Sequence, residues 1–484
     1  MLSLLTREKS GFQSWGHYPR LEAEVKPLNW VSDFLPAIPP DSRLILPVGL
    51  GRSYGDSCLL DHGRLLDTRG LKRLLAFDAR SGLLRCEAGV TLAAILDFAV
   101  PRGWFLPVTP GTKYVTVGGA IANDIHGKNH HIAGAFGLHT PQFEVLRSDG
   151  SRRICSSTQN PELYRATIGG LGLTGLISWA EVQLRPIVSR KIDYESIRFR
   201  GLEEFLALSH DSAEIEYTVA WIDCLSSGRD FARGLFMRGA HATEPAPLTR
   251  STMPQLDVPV YMPAALLNRH TIGLFNTLYY HRQLADRKRS QIDYEPFFYP
   301  LDSILHWNRI YGRQGLLQFQ CVLPMEDDAR GITAILRTIS ASGLASFLAV
   351  IKVFGNRPSP GMLSFPRPGV TLALDFPLRG KQTLRLLDQL ACLTQEHGGC
   401  MYPAKDALMT PRQFQSFYPM WKSFAKWIDP AFSSAFWQRV TASVESRDQR
   451  SEIRTQRPGS SDKRAGCEGQ ESLCDGCTAG VGER

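Results

Sequence analysis

The sequence predicts an α+β protein with two domains, the second built on an antiparallel sheet covered by helices. A length of 484 residues exceeds a single typical core. Glycine-rich loops recur between short apolar runs in the N-terminal part of the chain. From about Pro186, longer runs that alternate apolar and polar residues are interleaved with helical patterns, which is typical of an antiparallel sheet packed against helices.

Composition and charge narrow the function classes. A hydrophobic fraction of 43% and a charged fraction of 21% are those of an ordinary globular protein. The net charge of +8 favours an anionic ligand or an anionic lipid surface, and no basic block is long enough to predict nucleic-acid binding. The stretch before Arg7 predicts neither a signal peptide nor a membrane span, so a cytoplasmic protein is expected. Ten cysteines without a framework spacing are expected to be reduced.

The first element in chain order is a short apolar strand, Leu44 to Pro47, followed by the glycine-rich loop GLGRSYGDS. Its spacing is not a dinucleotide fingerprint and no amphipathic helix follows, so we interpret it as a phosphate-binding loop of another kind. LLRCE then predicts a strand, and Thr91 is the expected N-cap of a helix that ends near Gly103.

The central stretch, Pro107 to His131, combines four glycines with Asp124, lysine, asparagine and three histidines. Such glycines let the backbone approach phosphate or carbonyl oxygens closely. A metal site of His126, His130 and His131 is the rival interpretation. The neighbouring glycine and asparagine make the required helix doubtful, and no carboxylate pattern accompanies the histidines, so no metal is predicted.

Two signals follow the central stretch. The dipeptide Asp149-Gly150 between alternating runs predicts a β-hairpin. Gly170, Gly172 and Gly175 match G-x-G-x-x-G, but the predicted order around them is helix, loop, strand. A nicotinamide site needs strand, loop, helix, so we interpret this match as coincidental.

The later chain supplies the predicted sheet and its helices. Strands are expected in EYTVAWIDCLS, LLQFQCVLP, ASFLAVIKVFG and VTLALDFPL, and helices over Glu203 to Ser209, Asp327 to Ser342 and Lys381 to His397. The aromatic and basic stretch from Leu267 to Pro300 is interpreted as a solvated loop, with a lipid-facing loop as the alternative. After Val444 the composition predicts a disordered tail, 445–484, whose Cys474 and Cys477 have no structural context for a metal.

These segments together resemble the flavin oxidoreductases of the vanillyl-alcohol-oxidase type, and among them those that act on polyprenylphosphoryl sugars. The resemblance runs from about Trp15 to Trp437. The motifs that carry it are GLGRSYGD, PGTKYVTVGGAIANDIHGKNHH, IGGLGLTG, YPLDSILHWNRIYG, LQFQCVLP, IKVFG, LSFPRPG and YPAKD.

The resemblance implies an FAD-binding domain of the PCMH type over 1–185, an inserted substrate domain over 186–398, and a segment over 399–444 that returns to the FAD domain. It places FAD between the two domains. The residues implied at the cofactor are Pro47, Val48, Gly49, Leu50, Gly51, Arg52, Ser53, Tyr54, Gly55, Asp56, Ser57, Gly111, Thr116, Val117, Gly118, Gly119, Asn123, Asp124, Ile125, His126, Ile177 and Tyr402.

The linkage to the flavin also follows from the resemblance. Related oxidases often tether FAD through a histidine in the first loop, where this chain has Tyr54. We therefore expect non-covalent FAD, supported by backbone donors in three glycine-rich loops that suit a pyrophosphate.

Oxidation of an alcohol by a flavin needs a base for the hydroxyl proton and groups that fix the substrate. Lys405 of YPAKD matches the family's lysine and is the candidate base or positioning cation, with Lys352 as a neighbour that lowers its pKa. Gln320 and His126 complete the implied catalytic group. Implied substrate contacts are Gln318, Arg309, Trp221, Lys128 and Phe354. Because Gln318 and Gln320 alternate on one strand, both amides face the same side.

Three positions depart from the family pattern. Ala373 stands where relatives have a cysteine beside the flavin, Thr371 replaces an asparagine, and Phe298 replaces a tyrosine. None of these changes removes the candidate lysine, but lost donors change which sugar the pocket rejects.

The expected reaction is FAD-dependent oxidation of the 2'-hydroxyl of a polyprenylphosphoryl ribofuranose to a ketone. A short-chain dehydrogenase/reductase partner would complete the epimerisation to the arabinose form, and a peripheral contact with the inner membrane is expected for a lipid-linked substrate. Two alternatives remain: an aldonolactone or alditol oxidase on a soluble sugar, and a catalytically silent flavoprotein that assembles with the reductase.

Overall fold

The computed structural model describes residues 11–249, 255–325 and 329–442. Its strands, in chain order, are β1 Glu24–Pro27, β2 Ile45–Val48, β3 Arg64–Asp67, β4 Leu74–Asp78, β5 Leu83–Glu87, β6 Trp104–Phe105, β7 Gln142–Leu146, β8 Arg152–Ser156, β9 Leu176–Gln183, β10 Arg185–Pro186, β11 Lys191–Phe199, β12 Tyr217–Ile222, β13 Gly234–His241, β14 Leu256–Asp257, β15 Arg287–Asp293, β16 Ile304–Leu305, β17 Leu316–Leu323, β18 Ala349–Phe354, β19 Gly369–Pro377 and β20 Cys400–Met401. The α-helices are α1 Phe34–Ala37, α2 Leu92–Ala99, α3 Val117–Ala122, α4 His130–Ala133, α5 Pro161–Thr167, α6 Leu202–Asp211, α7 Arg269–His281, α8 Tyr294–Phe298, α9 Arg330–Ala341, α10 Lys381–Glu396, α11 Pro411–Phe417, α12 Trp421–Ala425 and α13 Ala435–Thr441.

The N-terminal part contains a three-stranded parallel sheet, β1-β3-β2, and a five-stranded antiparallel sheet, β4-β5-β9-β7-β8. The predicted hairpin is confirmed: β7 pairs with β8, and Gly150 has a φ of +82°, which glycine adopts without strain. Helix α2 begins as predicted, because the Thr91 hydroxyl accepts from the Ala94 N–H at 3.1 Å.

The eight-stranded sheet has the order β15-β11-β13-β12-β18-β19-β17-β20 and holds all four strands predicted from alternation. Its pairs are antiparallel, as expected. One face packs into the largest hydrophobic core together with helices α6, α9 and α10. The α+β fold class is therefore confirmed, and the other face of this sheet is free to carry polar side chains.

Register shows which side chains share that second face. Trp221 pairs with Val350, Val350 with Ala373, and Ala373 with Gln320, so these four lie in one row across the sheet. Side chains of residues that pair directly point to the same side of a sheet. Neighbouring rows on this face bring Lys352, Thr371, Gln318 and Asp375 to it.

The C-terminal segment connects the two sheet systems. Strand β20 adds to the edge of the eight-stranded sheet beside β17. Farther on, the Ile45 N–H donates to the Ala431 carbonyl at 2.8 Å, and the Asp429 carboxylate accepts from Ser148. The described residues through Thr441 form one compact unit. The boundaries at residues 185 and 398 stay a prediction.

One prediction was wrong. The stretch from Leu267 to Pro300 is not a loop, because it forms helix α7, edge strand β15 and helix α8. Asn268 caps α7 by accepting from two N–H groups, and the buried stripe is Ile272, Asn276 and Tyr280, at the four-residue spacing of a helix. Only one of these three side chains is aliphatic, so the sequence showed little periodicity.

Some predictions fall outside the described ranges. The tail 445–484 with Cys467, Cys474 and Cys477, and the N-terminal stretch before Gly11, are among these residues. None of the helices in the described ranges combines the length and apolar content of a bilayer span.

Candidate active site

His126 connects the central stretch to the polar face of the eight-stranded sheet. Its Nε2 lies 2.9 Å from the Gln320 amide nitrogen and its Nδ1 lies 3.2 Å from Lys352 Nζ. The amide donates to Nε2, so a neutral ring carries its hydrogen on Nδ1 and directs it to Lys352, which accepts as a neutral amine. Both ring nitrogens are thus occupied, and His126 orients its neighbours rather than serving as a free base.

Lys352 and Lys405 lie near this histidine and Lys128 lies near Lys352, and burial lowers the pKa of all three lysines. The pKa of Lys352 is lowered to about 7 by burial and by Lys405. The pKa of Lys128 is lowered to about 7 by burial and by Lys352. For Lys405 burial lowers the pKa to about 8, although the nearby Asp375 opposes this shift. Burial, followed by Lys352, places the pKa of His126 well below its usual value. An amine with such a pKa can act as a base near neutral pH.

Lys405 lies where the first loop meets the turn after β20. Its Nζ is 3.9 Å from the centre of the Tyr54 ring, a cation–π contact. The Tyr54 N–H donates to the Ala404 carbonyl at 2.8 Å, which fixes the loop against the turn. Gln318 lies beside the Tyr54 side chain and donates to the Asp375 carboxylate. Lys405 therefore stands at the junction of loop, turn and sheet.

Asp375 and Tyr311 belong to this cluster and were not predicted. Asp375 is 1% exposed on β19, and burial raises its pKa to about 7. The Tyr311 hydroxyl is buried and has no hydrogen-bond partner within the described chain. The sequence signal for Asp375 was a charged residue in the mostly apolar run VTLALDF. On a strand, Asp375 lies on the same face as Thr371 and Ala373.

The first loop fits the pyrophosphate of FAD. In the described part of the chain, none of the backbone N–H groups from Gly49 to Ser53 donates to an acceptor. The Ser57 hydroxyl is buried and also lacks a partner there. A Cβ at Gly111 would meet no atom within 4 Å, so the space beside that residue is open. Unpaired donors around open space suit a dinucleotide phosphate.

In the other two glycine-rich loops, several of the backbone N–H groups already donate within the protein. Val117 N–H donates to Val90, Gly118 N–H to Ala88, and Gly119 N–H to the Thr116 hydroxyl. In the third loop, Gly169 and Leu171 donate to carbonyls of α3. These N–H groups are not free for a pyrophosphate, and a donor role for the other glycines of the two loops stays a prediction. Their glycines serve close packing, since a Cβ on Gly118 would lie 3.0 Å from the Ala88 side chain.

Two predicted cofactor residues use their carboxylates structurally. Asp124 accepts from the hydroxyls of Ser359 and Ser364 and from the Gly137 N–H. Asp56 forms a two-point ion pair with Arg439 at 2.7 and 2.8 Å. Neither side chain is available to the cofactor.

The other predicted contacts divide between the cluster and its surroundings. Phe354 packs on His126, with ring centres 4.8 Å apart, and the Tyr402 hydroxyl donates to the Asn123 carbonyl at 2.8 Å. Lys128 donates to the Phe297 carbonyl. Arg309 is engaged elsewhere, donating to the Val258 carbonyl at 2.9 Å.

Three more residues named from the sequence lie in hydrophobic clusters of the fold. The Trp221 indole N–H donates to the Phe347 carbonyl at 3.0 Å, and its ring shares the face of Gln320. Ile177 lies in the hydrophobic core beside β7. Phe298 also lies in that core, with its ring centre 4.7 Å from the Tyr217 ring and 5.7 Å from Lys128 Nζ, so this departure from the family borders Lys128. Among the described residues, no group of three or more His, Cys, Asp and Glu side chains is arranged to hold a metal.

Comparison with known proteins identifies the class that this geometry suggests. The profile of the FAD binding domain matches residues 29–156. The decaprenylphosphoryl-beta-D-ribose oxidase of Mycolicibacterium smegmatis is 35% identical over 403 residues, which cover 80% of this chain and 86% of that protein. The human Delta(24)-sterol reductase is 31% identical over 150 residues, 30% of this chain and 28% of the reductase. A probable L-gulonolactone oxidase of Arabidopsis thaliana is 28% identical over 187 residues, 37% of this chain and 31% of that oxidase.

The fold and the site are those of an FAD-dependent oxidoreductase with a PCMH-type FAD-binding domain. More narrowly, the chain belongs to the family of the decaprenylphosphoryl-β-D-ribose oxidases. FAD is its cofactor. That the flavin is dissociable stays a prediction, which rests on Tyr54 standing where related oxidases have the linking histidine.

Proposed function

We propose that this protein oxidises the 2'-hydroxyl of a polyprenylphosphoryl-β-D-ribofuranose to the 2'-keto sugar. The reaction would be the first half of an epimerisation that yields an arabinose donor for the cell envelope. The name of the M. smegmatis relative supports the sugar and its lipid phosphate. The observation that carries the proposal is the charge of the site.

Lys128 is buried near Lys352, and Lys352 is buried near Lys405. None of the three forms an ion pair with a carboxylate of the described residues. Asp375 acts on Lys405 only from a greater distance. A buried lysine without a carboxylate partner is protonated only at a cost in free energy, and a phosphoryl group would supply negative charge to Lys128 and Lys352. A neutral sugar would leave these two lysines without a negative group and Lys405 with Asp375 alone.

Each residue of the site has its own role in the proposed reaction. Bound FAD would supply the acceptor for the hydride of the carbinol carbon. The neutral Lys405 amine takes the hydroxyl proton, which its lowered pKa permits. The Gln318 and Gln320 amides hold sugar hydroxyls from one strand, and His126 keeps Gln320 and Lys352 in place. Burial of the site excludes water from the reacting atoms.

A test compares substrates by anaerobic flavin bleaching. Polyprenylphosphoryl ribose should bleach the flavin of the purified protein, whereas free ribose and neutral lactones should do so at least about a hundredfold less efficiently. Bleaching by neutral sugars with equal efficiency would establish a soluble-sugar oxidase instead. No bleaching by any of them would indicate a silent flavoprotein.

The Lys128→Gln variant tests whether this lysine binds the phosphoryl group. Removing this cation should raise KM for the phosphoryl substrate about tenfold, with kcat nearly unchanged, because the lost contact is made equally in the ground and transition states. The matched control is Lys426→Gln, which changes an exposed lysine. An unchanged KM in Lys128→Gln would contradict a phosphoryl site at this lysine.

A partner reductase and a membrane contact complete the proposal. The keto product must be reduced to finish an epimerisation, so a short-chain dehydrogenase/reductase is the expected partner. Helix α7 exposes Leu274 and Leu278, each 62% exposed and one turn apart, and Leu284 beyond it is 89% exposed. Exposed Arg282 and Arg287 adjoin them. An apolar stripe beside basic residues suits an anionic bilayer surface that holds the lipid substrate.

Vesicle sedimentation tests the contact. The Leu274→Ser/Leu278→Ser protein should bind phosphatidylglycerol vesicles about tenfold more weakly, because two apolar anchors are lost. Leu75→Ser, on exposed strand β4, is the control and should bind like the unmodified protein. Equal binding of the double variant would show that α7 does not contact the membrane.

A further inference from the structure

We propose that Asp375 is the counter-charge of Lys405 and that it positions the Lys405 amine through Gln318 and Tyr54. The inference rests on the proposed role of Lys405 as the base. It assigns a function to a buried carboxylate on β19.

A continuous chain of contacts joins the two residues. Asp375 pairs directly with Gln318 across β19 and β17, and its carboxylate accepts from the Gln318 amide. Gln318 also lies beside the Tyr54 side chain, and Lys405 Nζ lies 3.9 Å from the centre of the Tyr54 ring. The Asp375 N–H donates to the Ser346 hydroxyl at 3.2 Å, which anchors the strand. Moving the carboxylate would release Gln318, and Tyr54 would lose the contact that fixes its ring under the amine.

The charges around Lys405 make Asp375 the group that favours its protonated form. Tyr54 lies on the first-loop side, Lys352 on β18 and His126 on the central stretch, and no carboxylate of the described chain lies within 4.0 Å. Asp375 is the negative group that acts on the amine. Without it, Lys405 would face only another amine, an imidazole and a phenol ring.

The carboxylate itself is held in a buried polar group. It faces Gln318, Lys405 and the phenols of Tyr54 and Tyr311, whose pKa values burial and then Asp375 raise. Tyr311 leaves a buried hydroxyl without a partner in the described residues, so the region is polar but incompletely satisfied. Because Asp375 and Lys405 interact, their protons are expected to titrate as a pair.

The direction of the pH effect follows from the sign of the charge. Asp375 raises the pKa of Lys405 and so opposes the lowering by burial. Replacing the carboxylate by a neutral amide removes this effect, and the pKa of Lys405 falls. The neutral amine that accepts the substrate proton is then present at lower pH. The acid limb of the kcat/KM profile should move toward lower pH, although the looser geometry lowers kcat.

The experiment uses the FAD-loaded full chain. Asp375→Asn should move the acid limb down by about one pH unit, as expected for removal of an opposite charge near an amine. Asp375→Glu should return the limb toward the original pH. Asp388→Asn, on the exposed side of α10, is the control for loss of one carboxylate and should leave the limb in place.

A second readout does not need turnover. Inorganic phosphate affinity, measured by calorimetry, should fall with rising pH as the lysines lose protons, and the midpoint of that fall should also move down in Asp375→Asn. Unmoved midpoints in both measurements, with only kcat reduced, would overturn the inference and leave the proposed function standing. If phosphoryl ribose fails to reduce even the unmodified protein, the proposed function fails, and the phosphate midpoints still decide the role of Asp375.

Discussion

Lys405→Ala is expected to lower the rate of flavin reduction by polyprenylphosphoryl ribose about a thousandfold, while FAD stays bound. A positioned general base contributes a factor of roughly a hundred to ten thousand. Lys405 is the lysine that lies between the first loop and the sheet, with its Nζ over Tyr54. Its two described neighbours with ring or amine nitrogens are not free to replace it at once, because His126 is bonded through both ring nitrogens and Lys352 faces one of them.

Rapid mixing without oxygen measures that rate through the flavin absorbance. Lys422→Ala changes an exposed lysine of α12 and should reduce the flavin at the original rate. The bound FAD should survive in Lys405→Ala because the unpaired donors of the first loop, Gly49 to Ser53, are untouched. A rate within a few-fold of the unmodified protein would show that another group takes the proton.

Arg439→Ala is expected to lower the free energy of unfolding by about 3–5 kcal/mol, the cost of removing one partner from a buried ion network. Arg439 of α13 contacts Asp56 at 2.7 Å and Asp406 at 2.9 Å. Both carboxylates are nearly inaccessible, so each would remain buried without a counter-charge. The network also joins the first loop to the residue after Lys405, and FAD affinity should fall with stability.

Chemical denaturation of the FAD-loaded protein checks the stability, and the flavin spectrum after gel filtration checks the affinity. Arg412→Ala, an exposed arginine of α11, should change neither. Removing the acids together with the arginine, in Asp56→Asn/Asp406→Asn/Arg439→Met, should recover much of the loss, because no buried charge is then left alone. Normal stability of Arg439→Ala would mean that water or another cation neutralises the two aspartates.

The sequence predicted the parts of the site that depend on local periodicity. Gln318 and Gln320 were expected on one face because strand side chains alternate, and they do share that face. Thr91 and the Asp149-Gly150 turn are local signals as well, and both were read correctly. Lys405 and His126 came from the resemblance, since nothing in the spacing of the two residues brings them together.

Long-range pairing explains what the sequence could not show. The partnership of Asp56 with Arg439 joins residues 383 positions apart in the chain. The occupation of the Gly118 and Gly169 N–H groups depends on which carbonyls the fold places opposite them. Asp375 was overlooked because its role depends on the register of β19 against β17. Helix α7 was missed because its buried face includes the polar Asn276.

The central claim is that three buried lysines, of which Lys405 alone is acted on by a carboxylate of the described residues, recognise a phosphoryl group. Proton uptake on binding tests this claim most directly. At pH 8 the amines of Lys128 and Lys352, with pKa values of about 7, and Lys405, with a pKa of about 8, are largely neutral or half protonated. A phosphoryl anion among them raises these pKa values, so binding should take up about one proton per molecule. Calorimetry of the FAD-loaded protein with a short-chain polyprenylphosphoryl ribose, in two buffers of different ionisation enthalpy, measures that number. Uptake of protons, with far weaker binding of free ribose, is the predicted result. Binding without proton uptake, or equal affinity for free ribose, would contradict the account.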